Sequence, residues 1–271
     1  MDRVRPSYWR VFLLFARNCL VRDMSFRANF IINVVTELAW VSASIVFTVI
    51  IYDNTPQING WNEYQYFAFI ATSMLINGLV ETFFMPNCAE LSELVRTGQL
   101  DFALLKPIDT QFLVSLEKLD LSALTKMAVG VVLLGYSLHM LGQPVGLVKA
   151  VFYVLTLFVG VAIFYSLMII LASASVWMGR NQGLYDFWFY VTVFARYPRE
   201  IYQGNGLGDA LRVVFTYILP VLVVVNVPAQ IVAQVFSPVL TLFGAGVAVV
   251  SLVAARRVFQ SALRSYRSAS S

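Results

Sequence analysis

The segment 147–178 constrains the fold of this chain more than any other, because Lys149 is its only charged residue. About 20 apolar residues in a helix cross the hydrocarbon core of a bilayer, so this longer segment spans a membrane with tilt or projects beyond it. Hydrophobic residues make up 59% of the 271 residues and charged residues 13%, whereas soluble domains carry about 25% charged residues. Several spans packed into one domain account for the difference. An all-α polytopic membrane protein is therefore predicted.

Six transmembrane helices are predicted, and five of them follow directly from apolar runs, at about 30–52, 64–85, 119–141, 147–178 and 236–255. In the preceding segment, 1–28, arginines recur at every seventh position and share one helix face, at Arg3, Arg10 and Arg17. An amphipathic helix in contact with membrane lipid is expected there. Near the start of the third span, Lys126 is expected to extend towards the membrane surface.

Basic residues set the predicted orientation. Six arginines precede Phe30, whereas no basic residue lies between Asp53 and Glu63. Because basic segments stay in the cytoplasm, the N-terminus is predicted to be cytoplasmic and the first loop external. The basic tail, 257–271, is placed in the cytoplasm by the same argument. This clustering beside apolar runs also explains the net charge of +4 without nucleic-acid binding.

The segment from 184 to 235 allows two topologies. In the first, 184–202 is the fifth span and 211–234 is a re-entrant element that enters from outside. In the second, 211–235 is the span and the aromatic segment before it lies on the cytoplasmic surface. The distribution of basic residues slightly favours the second. Two prolines with a central asparagine favour the first, because they interrupt backbone hydrogen bonds that only protein or trapped water can replace.

The chain lacks the motifs of the common catalytic and metal sites. It has no Gly-x-x-x-x-Gly-Lys-Ser/Thr loop, and one histidine with two distant cysteines, Cys19 and Cys88, excludes the common metal clusters. Enzyme activity is therefore not expected. The intramembrane candidates for a polar pathway are Glu37, Asn77 and Glu81. A proton or cation site at Glu37 would suit an ion-coupled carrier, but a contact with a partner helix or a polar cavity is the favoured interpretation.

The longest polar stretch, 86–118, is predicted to be a cytoplasmic loop with a short helix from about 87 to 97. Leu91, Leu94 and Val95 have the i, i+3, i+4 spacing of one apolar helix face. The run Glu93-Leu-Val-Arg-Thr-Gly-Gln-Leu-Asp-Phe-Ala-Leu-Leu-Lys-Pro107 contains Val-Arg-x-Gly-x-Leu-Asp-x-x-Leu-x-x-Pro. This pattern resembles a marker of a bacterial branch of type-2 ATP-binding-cassette (ABC) permeases.

Two further segments resemble the same branch. Arg196-Tyr-Pro198, followed by Ile201-Tyr202, resembles its second marker, and Pro220 and Pro228 match a third region. The order of the predicted parts is similar to that family over nearly the whole chain. The resemblance implies the first topology, with 184–202 as the fifth span and 211–234 as an external re-entrant element before the last span.

The resemblance also implies partners and residue roles. A separate cytoplasmic ABC ATPase dimer would bind ATP and Mg, so that this chain itself holds no cofactor. A second permease subunit would complete a heterodimer or homodimer. The short helix would be the coupling helix, with Leu91, Leu94 and Val95 in a groove of the ATPase. The remaining coupling residues would be Glu90, Glu93, Arg96 and Asp101. An external group would consist of Arg196, Tyr197, Pro198 and Arg199 together with the two prolines of the re-entrant element.

The implied function is export of a lipid-like, glycan-like or peptide-like compound across a bacterial inner membrane, with both termini in the cytoplasm. Two rival interpretations come from the residues. One is an ion-coupled secondary transporter that uses Glu37. The other is a membrane subunit that anchors or assembles a larger machine without transporting anything.

Overall fold

A computed structural model describes residues 7–142, 145–178, 182–204, 206–234 and 237–266, and the regular elements in these ranges are helices. The α-helices are α1 Tyr8–Ser25, α2 Arg27–Asn54, α3 Glu63–Phe83, α4 Met85–Arg96, α5 Leu100–Leu104, α6 Thr110–Leu116, α7 Leu124–Leu141, α8 Leu147–Met178, α9 Gln182–Val193, α10 Gly206–Val213, α11 Val221–Ala233 and α12 Pro238–Ser265. Short 3₁₀ turns cover Leu121–Ala123, Phe194–Arg196 and Arg199–Tyr202, and a π-helical turn covers Val214–Ile218.

Five helical segments of the described ranges are long and apolar enough to cross a membrane, and a bent pair raises the number to six. The five are α2, the run Glu63–Arg96 that joins α3 to α4, the run Leu121–Leu141 that includes α7, α8 and α12. They overlap the five spans that the apolar runs predict. The predicted all-α membrane fold is therefore confirmed.

Local capping residues explain where several of these helices begin and end. Asn62 and Gln65 form a capping box at the start of α3, in which each side chain accepts a hydrogen bond from the backbone N–H of the other residue. Ser237 accepts from Leu240 N at the start of α12. Gly142 ends α7 in the left-handed conformation, with φ of 62°. These caps fix the lengths of the apolar segments that hydropathy alone bounds only loosely.

The segment 182–204 differs from the single helical span that was predicted. α9 has 12 residues, which gives a length of about 18 Å, against about 30 Å of hydrocarbon core. Two 3₁₀ turns continue the chain. Pro198 is the physical reason for the break, because the residue before a proline is driven out of the helical region. Tyr197 accordingly is extended, with φ of −123° and ψ of 148°.

The bent pair consists of Gly206–Ile218 and α11, which meet at 87°. α10 packs against the turn Arg199–Tyr202, and at the other end of the pair the carbonyl of Ala233 accepts from Gln65 Nε2 at 3.0 Å. Both ends of the pair thus lie beside the α2–α3 turn. Its middle lies deeper, where Val224 packs against Gly160 of α8. By length and composition the bent pair is either one broken span or the re-entrant element that was predicted.

α8 is the centre of the bundle and contacts α3, α4, α9, α11 and α12. α11 is buried along its whole length. α2 is the least covered of the span-length helices, and it contacts α1, α3, α7 and the 3₁₀ turn before α7. As a result, a groove remains open between α2 and the rest of the bundle. One end of the bundle carries α4–α6, and the opposite end carries the α2–α3 turn.

Candidate functional site

The groove has a volume of about 990 Å³ and is lined by α2, α3, α9, the turns that follow α9, and Lys126 of α7. From α2 it receives side chains at the spacing of one helix face, at positions 37, 40, 41, 44 and 48. α3 contributes polar and apolar groups in the same way, among them Asn77, which donates to Ser73 Oγ at 3.0 Å. The volume lies at the upper end of the range for small-molecule sites, about 300–1,000 Å³.

Three charged side chains meet at the end of the groove nearest α4–α6. Lys126 Nζ lies 2.5 Å from Glu81 Oε2 and 3.2 Å from Glu37 Oε2. All three line the groove. The predicted polar-pathway residues are therefore brought together, but by a lysine that was expected to extend to the membrane surface. Glu81 and Lys126 are 45 residues apart in the sequence, and Glu37 is farther still from Lys126. The sequence therefore did not predict that the three side chains meet.

The predicted external group of residues divides into two parts. Arg196 and Tyr197 are exposed and line the end of the groove opposite the three charges. Pro198 is buried, and the backbone N–H of Arg199 donates to Asn226 Oδ1 of α11 at 2.9 Å. Pro198 and Arg199 therefore lie against the bent pair and do not line the groove.

Glu200, which the sequence did not single out, joins three segments at the same end. Its carboxylate accepts from Trp61 Nε1 at 3.1 Å and from Gln230 Nε2 at 3.2 Å. Its carbonyl accepts from Asn59 Nδ2 at 3.0 Å. The α2–α3 turn, the turn Arg199–Tyr202 and α11 are thus connected through one residue. A charged residue within an aromatic segment was the available signal, but nothing in the sequence named its partners.

The apolar face of α4 does not point away from the protein. Leu91 is 1% exposed and belongs to the main hydrophobic core, and Leu94 and Val95 pack against that core. α4 lies against α8 and α6, so its apolar face completes the interior of the bundle. The prediction that Leu91 fills a groove on another protein is corrected accordingly, because a side chain buried in this way is not available to a partner.

The charged coupling candidates of α4 and α5 have partners within the chain. Glu90 Oε2 lies 2.5 Å from Lys118 Nζ, and Arg96 Nε donates to Glu93 Oε2 at 2.7 Å. Glu93 and Arg96 are both exposed, whereas Asp101 of α5 is half-buried. They lie on α4 and α5, which are in contact at this end of the bundle.

The outermost apolar side chains of this region are Phe102 of α5, 71% exposed, and Leu105 directly after it, 80% exposed. They lie within the Val-Arg-x-Gly-x-Leu-Asp-x-x-Leu-x-x-Pro run, flanked by Asp101 and Lys106. Sequence periodicity missed them because α5 has only five residues, too few for an amphipathic pattern to be recognised.

Asn87 connects α4 to the chain after α6, a role that no sequence pattern indicated. Its Nδ2 donates to the carbonyls of Lys118 at 2.7 Å, Ser115 at 3.1 Å and Phe83 at 3.1 Å. Its Oδ1 accepts from Lys118 N at 2.8 Å. We call residues 85–118, which include α4, α5 and α6, the α4–α6 unit. Asn87 makes this unit rigid.

A second network connects the α4–α6 unit to α8 and α12. Arg256 donates to both carboxylate oxygens of Asp109, at 3.0 Å and 2.5 Å, and to Gln111 Oε1 at 2.9 Å. Gln111 Nε2 in turn donates to Tyr165 Oη of α8 at 2.9 Å. Asp109 also accepts from Phe112 N at the start of α6. A displacement of the unit would therefore be passed to both long helices.

Arg256→Gln is expected to lower stability by about 0.5–1 kcal/mol, the range for a partly exposed ion pair. The hydrogen bonds from Arg256 hold the pKa of Asp109 below its usual value, which is about 3.9. Because the folded pKa is the lower one, the stabilisation is present above about pH 4 and is lost as the pH falls through the folded pKa. Thermal unfolding of both proteins in detergent between pH 3 and 8 measures this difference.

Arg257→Gln is the matched control, since it removes the same charge from an exposed neighbour on α12. It is expected to leave stability unchanged over this pH range. A constant difference between wild type and Arg256→Gln down to pH 3 would contradict the role given to Asp109.

The described ranges contain no group of three or more histidine, cysteine, aspartate or glutamate side chains that could hold a metal ion. Comparison with curated proteins and with solved structures gives no match. A family model described as ABC-2 family transporter protein matches residues 38–270. The match includes the α4–α6 unit, the bent pair and every span-length helix except the first part of α2. It extends over far more than half of the 271 residues, and the chain therefore belongs to the ABC-2 family of transporter proteins.

Proposed function

We propose that the chain is the permease subunit of an ATP-driven exporter in a bacterial inner membrane, with a lipid-like, glycan-like or peptide-like substrate. The observation that carries this proposal is the α4–α6 unit, which projects uncovered Phe102 and Leu105 from one end of a chain of the ABC-2 family. A separate ATPase dimer would bind ATP and Mg and would dock on that unit. Both chain termini and the unit would then be cytoplasmic, as the distribution of arginines predicts.

The contacts of the α4–α6 unit support a mechanical role. α4 packs on α8, and Asp109 is bound to Arg256 of α12. When the ATPase closes on ATP, the unit would shift as one body, because Asn87 fastens its parts together. α8 and α12 would shift with it and would change the width of the groove beside α2.

The coupling surface is best placed on α5. Phe102 and Leu105 would enter an apolar depression of the ATPase, and Glu90, Glu93, Arg96 and Asp101 would lie around them. Apolar anchors with a charged rim are the usual composition of such contacts. This assignment keeps the charged residues that the resemblance implied and replaces the buried Leu91 by side chains that a partner can reach.

A second permease subunit would cover α2. This helix is the least covered of the spans, and large apolar side chains such as Ile32, Val46 and Ile50, which do not line the groove, are exposed on it. A homodimer and a heterodimer would both supply such a cover. Trp9, Leu14 and Val21 of α1 are exposed. They would contact lipid, as expected of an interfacial helix at the end of the bundle that carries the α4–α6 unit.

Phe102→Asp combined with Leu105→Asp is expected to reduce the amount of co-purifying ATPase by at least about tenfold, because two buried apolar anchors of this size contribute more than 1.4 kcal/mol. The measurement is a pull-down of tagged protein from native membranes, with mass spectrometry and an ATPase assay of the eluate. The folded state should be unaffected, since both side chains are exposed.

Leu207→Asp is the matched control, because Leu207 is equally exposed but lies on α10 at the opposite end of the bundle. It should leave the ATPase bound. Recovery of the chain without any nucleotide-binding partner would refute the proposal. Transport without ATP that is lost in Glu37→Gln would instead support the ion-coupled alternative.

A further inference from the structure

Among the described residues, the end of the groove nearest α4–α6 contains one more carboxylate than cationic groups. Lys126 lies between Glu37 and Glu81 and can neutralise only one of them. The three side chains are largely buried within the span-length helices. An unbalanced charge in such surroundings is costly unless a counter-charge is supplied. This end of the groove therefore favours a positively charged occupant.

Aromatic side chains line the groove along its length. Trp40 lies one helical turn after Glu37 on α2 and is 71% exposed, although it lines the groove. Trp188 and Phe189 line the groove from α9, and Tyr66 of α3 lines its far end, where its ring centroid is 5.7 Å from that of Tyr52. Tryptophan and tyrosine rings attract cations over their faces, by about 0.5–2 kcal/mol each, and they pack against apolar groups equally well.

Within the part of the chain that the structure describes, the other charged side chain that lines the groove is Arg196, at the opposite end. It is exposed, so water and salt screen its charge more strongly than the charges around Lys126. The groove is thus negative at the α4–α6 end, aromatic and apolar along its length, and weakly positive at the far end. This distribution defines the orientation of an occupant as well as its charge.

We propose that the groove binds an amphipathic organic cation, whose apolar body lies between α2 and α9 and whose positive group lies against Glu37 and Glu81. This inference rests on the proposed function and narrows its substrate class to cationic amphiphiles of the lipid-like or peptide-like kind. Charge complementarity and the aromatic lining are the observations that support this occupant.

Tetraphenylphosphonium and tetraphenylborate test the inference, because they have the same shape and opposite charges. Binding of each ion to the full chain in lipid nanodiscs is measured by equilibrium dialysis, with empty nanodiscs subtracted. Saturable binding of the cation is expected, with binding of the anion at least about tenfold weaker. Glu37→Gln is expected to weaken cation binding by about tenfold or more, as the loss of a partly desolvated charge does.

Glu63→Gln is the matched control, since Glu63 lies on α3 but does not line the groove, and it should bind the cation as the wild type does. If Glu37→Gln fails to fold, Trp40→Leu keeps the site apolar and should still weaken cation binding several-fold while the anion is unaffected. The same assay on the complex from native membranes decides whether the groove remains open beside its partners.

Equal affinities for the two ions, unchanged cation binding in both variants, or absence of cation binding in the native complex would each overturn the inference. The nanodisc assay contains no ATPase. Loss of cation binding with normal ATPase association would therefore refute the inference alone, whereas cation binding without any ATPase partner would refute the proposed function alone.

Discussion

Gly160→Leu is expected to abolish recovery of folded protein, and Gly160→Ala to lower stability by about 1–3 kcal/mol. A Cβ atom at this position would lie 2.9 Å from the carbonyl oxygen of Val224 and 3.1 Å from Ile76 Cδ1. The nearer atom belongs to the backbone of α11, so the bent pair, of which α11 is one half, would have to move. The measurement is the temperature at which half of the purified protein ceases to be monodisperse in size-exclusion chromatography.

Gly135→Ala is the control for Gly160, because no atom lies within 4 Å of a Cβ atom there. Gly135 is in the interior of α7, and alanine is favoured over glycine in a helix by about 0.5–1 kcal/mol, so this variant should be slightly more stable than wild type. The stability changes expected for Gly160→Ala and Gly135→Ala therefore have opposite signs. Equal stability of both would mean that α11 does not pack on α8 as described.

Asn87→Leu is expected to cost more than about 2 kcal/mol, although leucine has a similar volume. The carbonyls of Ser115 and Lys118 and the N–H of Lys118 would lose their partner, and each buried group left unpaired costs about 1–3 kcal/mol. The α4–α6 unit would separate, so co-purification of an ATPase should decline together with thermal stability. Both are measured on the same detergent extract.

Asn54→Leu is the corresponding control. Its side chain is exposed, and its Nδ2 makes a hydrogen bond to the carbonyl of Ile50 in its own helix. Little change in stability is expected. A stable Asn87→Leu protein that retained its ATPase would show that the unit does not depend on Asn87.

Hydropathy predicted five crossings because each is an apolar run long enough to be recognised without its neighbours. The segment 184–202 was harder, because its aromatic residues favour a span while Pro198 ends the helix. The choice of a re-entrant element at 211–234 over a full span rested on the resemblance to a family. Prolines alone showed that the backbone breaks, and they do not distinguish one broken span from a re-entrant element.

The candidate sites were less predictable for a different reason. The stripe of Leu91, Leu94 and Val95 showed that one face of α4 is apolar, but periodicity carries no information on whether a partner or the chain's own core covers it. The approach of Lys126 to Glu37 and Glu81 depends on how three helices pack. Phe102 and Leu105 lay inside the recognised motif, yet their exposure depends on the direction in which α5 projects.

The burial of α11 has a consequence for the synthesis of the chain. Its 13 residues extend about 20 Å, too short to cross a bilayer alone, and Pro228 within it leaves a backbone carbonyl without its helical donor, which lipid cannot supply. α3 and α8, which enclose it, leave the ribosome earlier, but α12 leaves it later. The segment must therefore wait in the partly assembled bundle, shielded from lipid by earlier helices, until the last helix is inserted and closes around it.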